Sequence, residues 1–312
     1  SSQTEQDTRH FAQFAKLPVF DPSSPEEAYQ MVQDAFDYSE QYGTPVLLRP
    51  TTRVCHGCSD VTVKETRTFT QPEGFLRDPQ KWVIFPRSSY LNHIKLEERY
   101  PTLARDFSGY WGNRCEKKGT ASWGIACSGI SYAYVKEALD GLHLSCPILK
   151  IATAYPFPEP LALDFLSDLE QVLVFEELDP VVEKELLLLC GREKCPSVIL
   201  GKLTGHNVPA GENSAEAVKQ SLRAFLHLEQ PERSFPAPPS LPVRPPVLCA
   251  GCPHRAAFYA VKKAMAGRKA VFAGDIGCYT LGNAQPLDMV DTCLCMGADV
   301  TIAQGLHRVE PD

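Results

Sequence analysis

None of the 312 residues lies in an apolar run approaching the ~18–20 side chains that a membrane-spanning helix requires. The densest stretch, "ELLLLC" around Leu186, is far shorter and reads as core packing. The opening "SSQTEQDTRHFAQF" lacks the charged start, apolar middle and small-residue cleavage site of a secretory signal. Blocks of Lys and Arg are missing too: the formal net charge is -7, and no basic stretch is available to track phosphates, which argues against nucleic acid as a partner. A cytoplasmic protein is the expectation. Thiols stay reduced there, so the twelve cysteines read as ligands, reactive thiols or small core residues rather than a disulfide framework.

The length allows about two or three domains. Ser24-Pro25-Glu26-Glu27 is a capping box with Pro at the first helical position, and Ala28, Met31, Val32, Ala35 and Phe36 recur behind it at helical spacing. A helix ending near Gly43 and a buried strand in "TPVLLRP" follow, so residues 1–53 read as the end of an α/β domain. Residues 54–120 are irregular and charged, with one helix expected around "SSYLNHIKLEERYPTLARDF", and read as a connecting region.

Between 121 and 228 the pattern is strand "SWGIACSG", helix "SYAYVKEALDGL", strand "CPILKIA", helix "EPLALDFLSDL", strand "EQVLVFEEL", helix "PVVEKELLLLC", strand "SVILG", helix "SAEAVKQSLRAFLHL". That alternation implies a parallel sheet covered on both faces, the doubly wound α/β class. "EQPERSFPAPPSLPVRPP" carries seven prolines, which excludes a helix or inner strand and makes residues 229–246 a linker. From 247 to 312 a further unit is expected: a strand into "CAGC", a helix from about His254 to Met265, a strand "KAVFAGDIGC", and a helix over "ADVTIAQGLHRV".

The chemistry concentrates in this last unit. In open parallel sheets ligands bind beyond the carboxyl ends of strands, where loops lead into helix N-termini. The helix after Cys252 offers a positive dipole end, and Gly274, Gly277 and Gly282 would let the backbone approach an anion, so a phosphate-bearing cofactor fits. Cys249 and Cys252 form a Cys-x-x-Cys pair, Cys278 follows, and Cys293 and Cys295 lie further on. The spacing matches neither a zinc ribbon nor a ferredoxin run, which leaves metal ligation, a redox dithiol and pocket-wall thiols all open.

The motifs "LCAGCPHRAAFYAVKKA", "GDIGCYTLG" and "VDTCLCMGADVTIAQGL" together resemble the cofactor domain of thiamine pyrophosphate-dependent 2-oxoacid:ferredoxin oxidoreductases, most closely the alpha-type chains of the indolepyruvate branch. "GTPVLLRPTTRV" resembles the end of that family's pyrimidine-binding domain, and "SGISYAYVKEAL", "YPFPEPL" and "VLVFEELDPVVE" resemble its transketolase C-terminal-like domain. Residues 247–312 then correspond to the first part of a thiamine pyrophosphate-binding domain. The resemblance implies oxidative decarboxylation of aryl pyruvates such as indolepyruvate, with transfer of the acyl group to coenzyme A, passage of electrons through [4Fe-4S] clusters to ferredoxin, and a smaller beta subunit as partner.

Carried over by motif, Gly277 and Cys278 lie nearest the cofactor diphosphate, with His254 and Asp275 close by. The loop of Asp291, Cys293, Leu294, Cys295, Met296 and Gly297 runs beside the thiamine rings. Cys249, Cys252 and Cys278 correspond to three ligands of a [4Fe-4S] cluster whose fourth lies downstream. Ala250 stands where the family usually has proline, a change that only relaxes the loop. The Mg2+ motif is expected beyond Asp312 and the activating glutamate upstream of Ser1, so the chain reads as a piece cut at both ends and inactive by itself. A non-catalytic Cys-rich metal-binding or assembly module is the alternative, and a thiol-disulfide oxidoreductase a third reading.

Other conspicuous residues have plainer explanations. Glu176 and Glu177 are adjacent at a strand end, point to opposite faces, and read as a solvated terminus. Arg49 and Arg53 read as salt-bridging residues, His10, His93 and His206 as surface residues, and Cys55-His56-Gly57-Cys58 as a surface loop.

Overall fold

The computed structural model describes residues 6–63, 74–75, 77–117, 119, 121–229 and 239–311. Parts of the expected connecting region, residues 64–73, 76, 118 and 120, and of the linker, residues 230–238, lie outside the described residues. The chain separates into two units, Asp7–Pro231 and Glu232–Asp312 together with Ser1–Gln6.

The first unit opens with α1 (Thr8–Ala15), whose N-cap Asp7 accepts from the Arg9 amide, and β1 (Val19–Phe20). Helix α2 (Pro25–Tyr42) begins as its capping box predicts: Ser24 Oγ accepts from the Glu27 amide at 3.1 Å, and Gly43 ends the helix in the left-handed region at φ 56°. The other half of the box is displaced. Glu27 accepts from the amide and hydroxyl of Ser23 and pairs with Lys150, so it ties the helix start to the sheet instead of to Ser24.

Strand β2 (Leu47–Leu48) is a two-residue remnant of the expected strand, parallel to β1. Short turns α3 (Thr52–His56) and α4 (Pro79–Trp82) precede α5 (Pro86–Ser108), which runs on through Pro101. Phe107 and Tyr110 pack with Phe20, Met31, Ala35 and Ala152 into one core, so the C-terminal part of the supposed connecting region is firmly seated.

Next come β3 (Arg114–Glu116), β4 (Trp123–Ser128), α6 (Ser131–Leu142), β5 (Ile148–Ile151), α7 (Glu159–Leu166), β6 (Gln171–Phe175), α8 (Val181–Glu193), β7 (Val198–Leu200) and α9 (Ala215–Phe225). Every strand and helix expected between 121 and 228 forms. The sheet order is β3-β5-β4-β6-β7, parallel except for the unexpected edge strand β3, which runs antiparallel to β5. Strand alternation divides the core in two. Ile125, Cys127, Leu173 and Phe175 face Val135, Leu139, Val218 and Leu222, whereas Ala126, Val172 and Val174 face Phe165, Leu166, Val182 and Leu186. This is the expected α/β sheet with helices on both faces. Of the leucine run, Leu186 and Leu189 are buried but Leu187 and Leu188 are exposed, because a helix turns only part of any run inward.

The solvated reading of Glu176 and Glu177 is overturned, since both are buried. Glu176 accepts from Arg9 at 2.7 Å and from the amides of Val181, Val182 and Glu183 at 3.0–3.1 Å, satisfying the orphan donors of the first turn of α8. Glu177 accepts from the Asn213 amide, and burial pushes its carboxyl above the usual range. Arg49 reaches Asp21 and Arg53 reaches Glu212, as expected of salt-bridging residues. Cys55 and Cys58 are exposed.

The second unit carries α10 (Pro253–Ala264) and α11 (Ala298–Val309) close to their expected positions. The two expected strands do not form. Residues 239–249 adopt no regular structure, and the segment 269–275 makes a single parallel bridge, Ala273 to Thr292. In the second of these, the Asp291 carboxylate takes the Phe272 amide at 2.7 Å, where a continued ladder would place a carbonyl. Among the described residues, no helix of either unit is long and apolar enough to cross a membrane.

Candidate functional site

Three segments of the second unit meet. The Cys-Ala-Gly-Cys loop is folded back on itself: Cys249 O accepts from the Cys252 amide at 3.2 Å and from Arg255 Nε at 3.0 Å, while a second nitrogen of Arg255 donates to Leu248 O. Cys252 is the N-cap of α10, with no side chain capping the helix; its amide goes to Cys249 O, Pro253 has no N–H and the Arg255 amide goes to Cys252 O, so the His254 amide is the first-turn donor left to face a ligand or water. At the second residue of the helix, His254 lies against Tyr279 of the glycine-rich loop with ring centroids 4.7 Å apart.

That loop is joined in turn to residues 291–297. Asp275 Oδ1 accepts from its neighbour Ile276 at 2.7 Å and from the Gly297 amide at 2.9 Å. Thr280 Oγ1 donates to Asp275 O at 2.9 Å and lies 3.7 Å from Cys293 Sγ. Gly274 donates to Thr292 O at 2.7 Å. One carboxylate and one hydroxyl therefore hold two loops together just ahead of α11.

No family model matches the chain. It is 39% identical over 312 residues to the indolepyruvate oxidoreductase subunit IorA of Methanothermobacter thermautotrophicus, covering 98% of this chain and 50% of the relative. It is 40% identical over 319 residues to IorA of Thermococcus kodakarensis, covering 98% and 49%. The chain resembles IorA subunits along nearly its whole length. It spans about half the length of these relatives. Among solved structures, the 2-oxoglutarate:ferredoxin oxidoreductase of Magnetococcus marinus matches at TM-score 0.43 and 16% identity over 68% of this chain and 42% of that one. That is too weak a likeness to carry an inference about the site.

In this IorA-like chain the glycines expected to line an anion site divide by role. A Cβ on Gly274 would come within 2.5 Å of Val290 Cγ1, and one on Gly282 within 2.6 Å of the Phe258 ring, so close packing keeps both residues small. Gly277 differs: its φ of 107° is a conformation other residues avoid, and nothing lies within 4 Å of its Cβ direction. Its backbone is thus open to a close-approaching ligand. Cys278, Asp291, Cys293, Leu294, Cys295, Met296 and Gly297 are exposed, and His254 and Asp275 half-buried, along this front.

The donor set suits an anionic diphosphate group: open backbone at Gly277, an uncapped helix start, and one imidazole. Among the described residues, no three His, Cys, Asp or Glu side chains stand close enough to share an ion, so Cys249, Cys252 and Cys278 do not form a ligand set in this structure. Arg255 and Thr280 were not singled out from the sequence. Arg255 follows the Cys-Pro-His run at the spacing that turns one helical residue back over a preceding loop, which was its only signal.

Asp275→Ala is expected to release residues 291–297. Losing a hydrogen bond from an exposed amide costs about 0.5–1.5 kcal/mol, which should speed exchange of the Gly297 amide roughly two- to tenfold. Hydrogen exchange read by mass spectrometry checks this, and unchanged protection at Gly297 would show that other contacts hold the loop.

Proposed function

We propose that the chain is the cofactor-binding portion of a cytoplasmic 2-oxoacid:ferredoxin oxidoreductase subunit that acts on aryl pyruvates such as indolepyruvate, with a smaller subunit, coenzyme A and ferredoxin as partners. The observation that carries this reading is the fastening of the Gly274–Gly282 and Asp291–Gly297 loops through Asp275, beside an uncapped helix start, in a chain about 40% identical to IorA. The twelve cysteines are all free thiols, which suits a reducing compartment.

Thiamine pyrophosphate, when bound, supplies the means of decarboxylating a 2-oxoacid and removing electrons from what remains. The chain's own residues bind and orient it. Gly277 and Cys278 offer main-chain groups to the diphosphate, the start of α10 adds its positive dipole end, and His254 stands against Tyr279 as a partly buried wall. The loop from Asp291 to Gly297 would line the thiamine side, with Leu294 and Met296 as its exposed apolar side chains. Asp275 positions that loop without itself touching the reaction.

The test uses the intact subunit with its partner, purified without oxygen. Ferredoxin reduction should require indolepyruvate, coenzyme A and thiamine pyrophosphate together. A preparation that is fully active without thiamine pyrophosphate, or binds none by calorimetry, would overturn the proposal.

A further inference from the structure

Cys190 and Cys195 bracket the end of α8 in the run Cys-Gly-Arg-Glu-Lys-Cys. The helix stops at Glu193, Lys194 turns into the left-handed region at φ 58°, and the Cys195 amide donates back to Cys190 O at 3.0 Å. This six-to-one hydrogen bond is the mark of a Schellman helix end, in which the first and last residues of the turn usually meet through apolar side chains. Here both are cysteines.

Cys190 is buried in the core on the α7 and α8 side of the sheet, and the half-buried Cys195 packs against it. A direct link between the two residues' own peptide groups is compatible with the roughly 4.4–6.8 Å between α-carbons that a disulfide bridges.

We propose that Cys190 and Cys195 form a thiol–disulfide modification site that is oxidised by exchange with a small-molecule disulfide. The more accessible Cys195 thiolate attacks one sulfur of the reagent, forms a mixed disulfide and expels the other sulfur as a thiolate, which takes up the proton Cys195 gave up. Cys190 then loses its proton and attacks Cys195 Sγ, closing the protein disulfide and expelling the second reagent thiolate, which is protonated in turn. Two protein thiols are oxidised and one reagent disulfide is reduced to two thiols, so atoms and electrons balance. The order follows from the surroundings: burial pushes the Cys190 thiol up to about 11, which disfavours its attack on a free reagent, whereas Cys195 already bearing the reagent would sit in contact with it. The closed ring would fix the helix end and the turn leading into β7.

The reduced full chain is equilibrated with oxidised and reduced glutathione, quenched by alkylation, and digested with trypsin, which cuts after Arg192 and Lys194, between the two cysteines. The expected map without reductant shows the peptide ending at Arg192 joined to the peptide starting at Cys195, and the two separate on reduction, with a loss of two alkylatable thiols. Cys190→Ser should leave glutathione stranded on Cys195, and Cys195→Ser should leave Cys190 unmodified. Persistent glutathione on Cys195 in the parent chain, or separate alkylation of both cysteines under oxidising buffer, would overturn the proposal.

Discussion

Replacing Glu176 by Ala is expected to lower the stability of the Asp7–Pro231 unit by about 3–5 kcal/mol, the range for removing one member of a buried ion pair. The carboxylate serves four donors at once: Arg9 Nη1 and the amides of Val181, Val182 and Glu183. Its loss leaves an Arg side chain without any exposure facing an empty site, and takes the acceptor from the Val182 and Glu183 amides in the first turn of α8, while the Val181 amide keeps the Asp179 carbonyl at 2.9 Å. Asp7 and the carbonyls of Glu177 and Asp179 still hold Arg9, which places the expected cost at the lower end of that range. Glu176→Gln keeps an acceptor oxygen and should cost less. All three tryptophans, Trp82, Trp111 and Trp123, belong to this unit, so urea unfolding followed by tryptophan fluorescence reports it selectively. A loss under about 1 kcal/mol would mean that the helix start finds other partners.

The second large effect concerns Lys150 and Glu27. The Lys150 side chain has no exposure, reaches Glu27 across the join between α2 and the sheet, and lies 4.9 Å from the Tyr132 ring centre. Burial pushes its ammonium down, and the pairing with Glu27 recovers only part of that, so Lys150 stays below the ordinary lysine value. Burial also pushes the Glu27 carboxyl up, but the charge and hydrogen bond of Lys150, helped by Ser23, outweigh it and leave Glu27 below the usual carboxylate range.

Lys150→Met alone should therefore cost about 3 kcal/mol, the low end for breaking a buried pair, because the Glu27 carboxylate keeps Ser23 and the more distant Arg114. Adding Glu27→Gln should recover most of that, because a well-packed neutral pair no longer bears the desolvation of two charges. The acid limb carries a second reading. Since the folded pKa of Glu27 lies below its unfolded value near ~4.3, its contribution is present above that pH and is lost as pH falls through the lowered value. Asp7 acts in the same sense: burial pushes it up, but Arg9, then Arg49, hold it below the ordinary value. The double variant should lose stability less steeply below about pH 4 than the parent, while retaining the part due to Asp7. If both proteins lose stability with equal slope, the Glu27 assignment is wrong.

Much of the first unit was legible because its signals are local. "CPILKIA" and "EQVLVFEEL" are short apolar runs between helical patterns, and β5 and β6 form where those runs lie. Strand β3 was not legible: Arg-Cys-Glu has neither β-branched residues nor an apolar alternation, and it is a strand only because β5 offers it a free edge. Glu176 and Glu177 misled for a related reason. Their donors come from Arg9, from α8 and from Asn213, and no window around the strand end contains all of those partners.

The cofactor loops show the converse. Their motifs were plain in the sequence, but the expected strand through "KAVFAGDIGC" makes only one bridge, and the Phe272 amide goes to the Asp291 side chain instead of a neighbouring carbonyl. Nothing in the spacing of cysteines could say whether Cys249, Cys252 and Cys278 converge, because that depends on how the loop at Arg255 is folded back.

The borders of the five-stranded sheet are only three residues each, Arg114–Glu116 on one side and Val198–Leu200 on the other. On the first, Arg114 and Glu116 are also drawn into contacts with Tyr132 and Lys136. An extended foreign segment seeking to add itself as a sixth strand would gain few peptide hydrogen bonds on either side and would meet charge on one. A sheet rich in Val, Ile and Leu is thereby shielded from the lateral stacking that begins aggregation by the shortness and charge of its own borders.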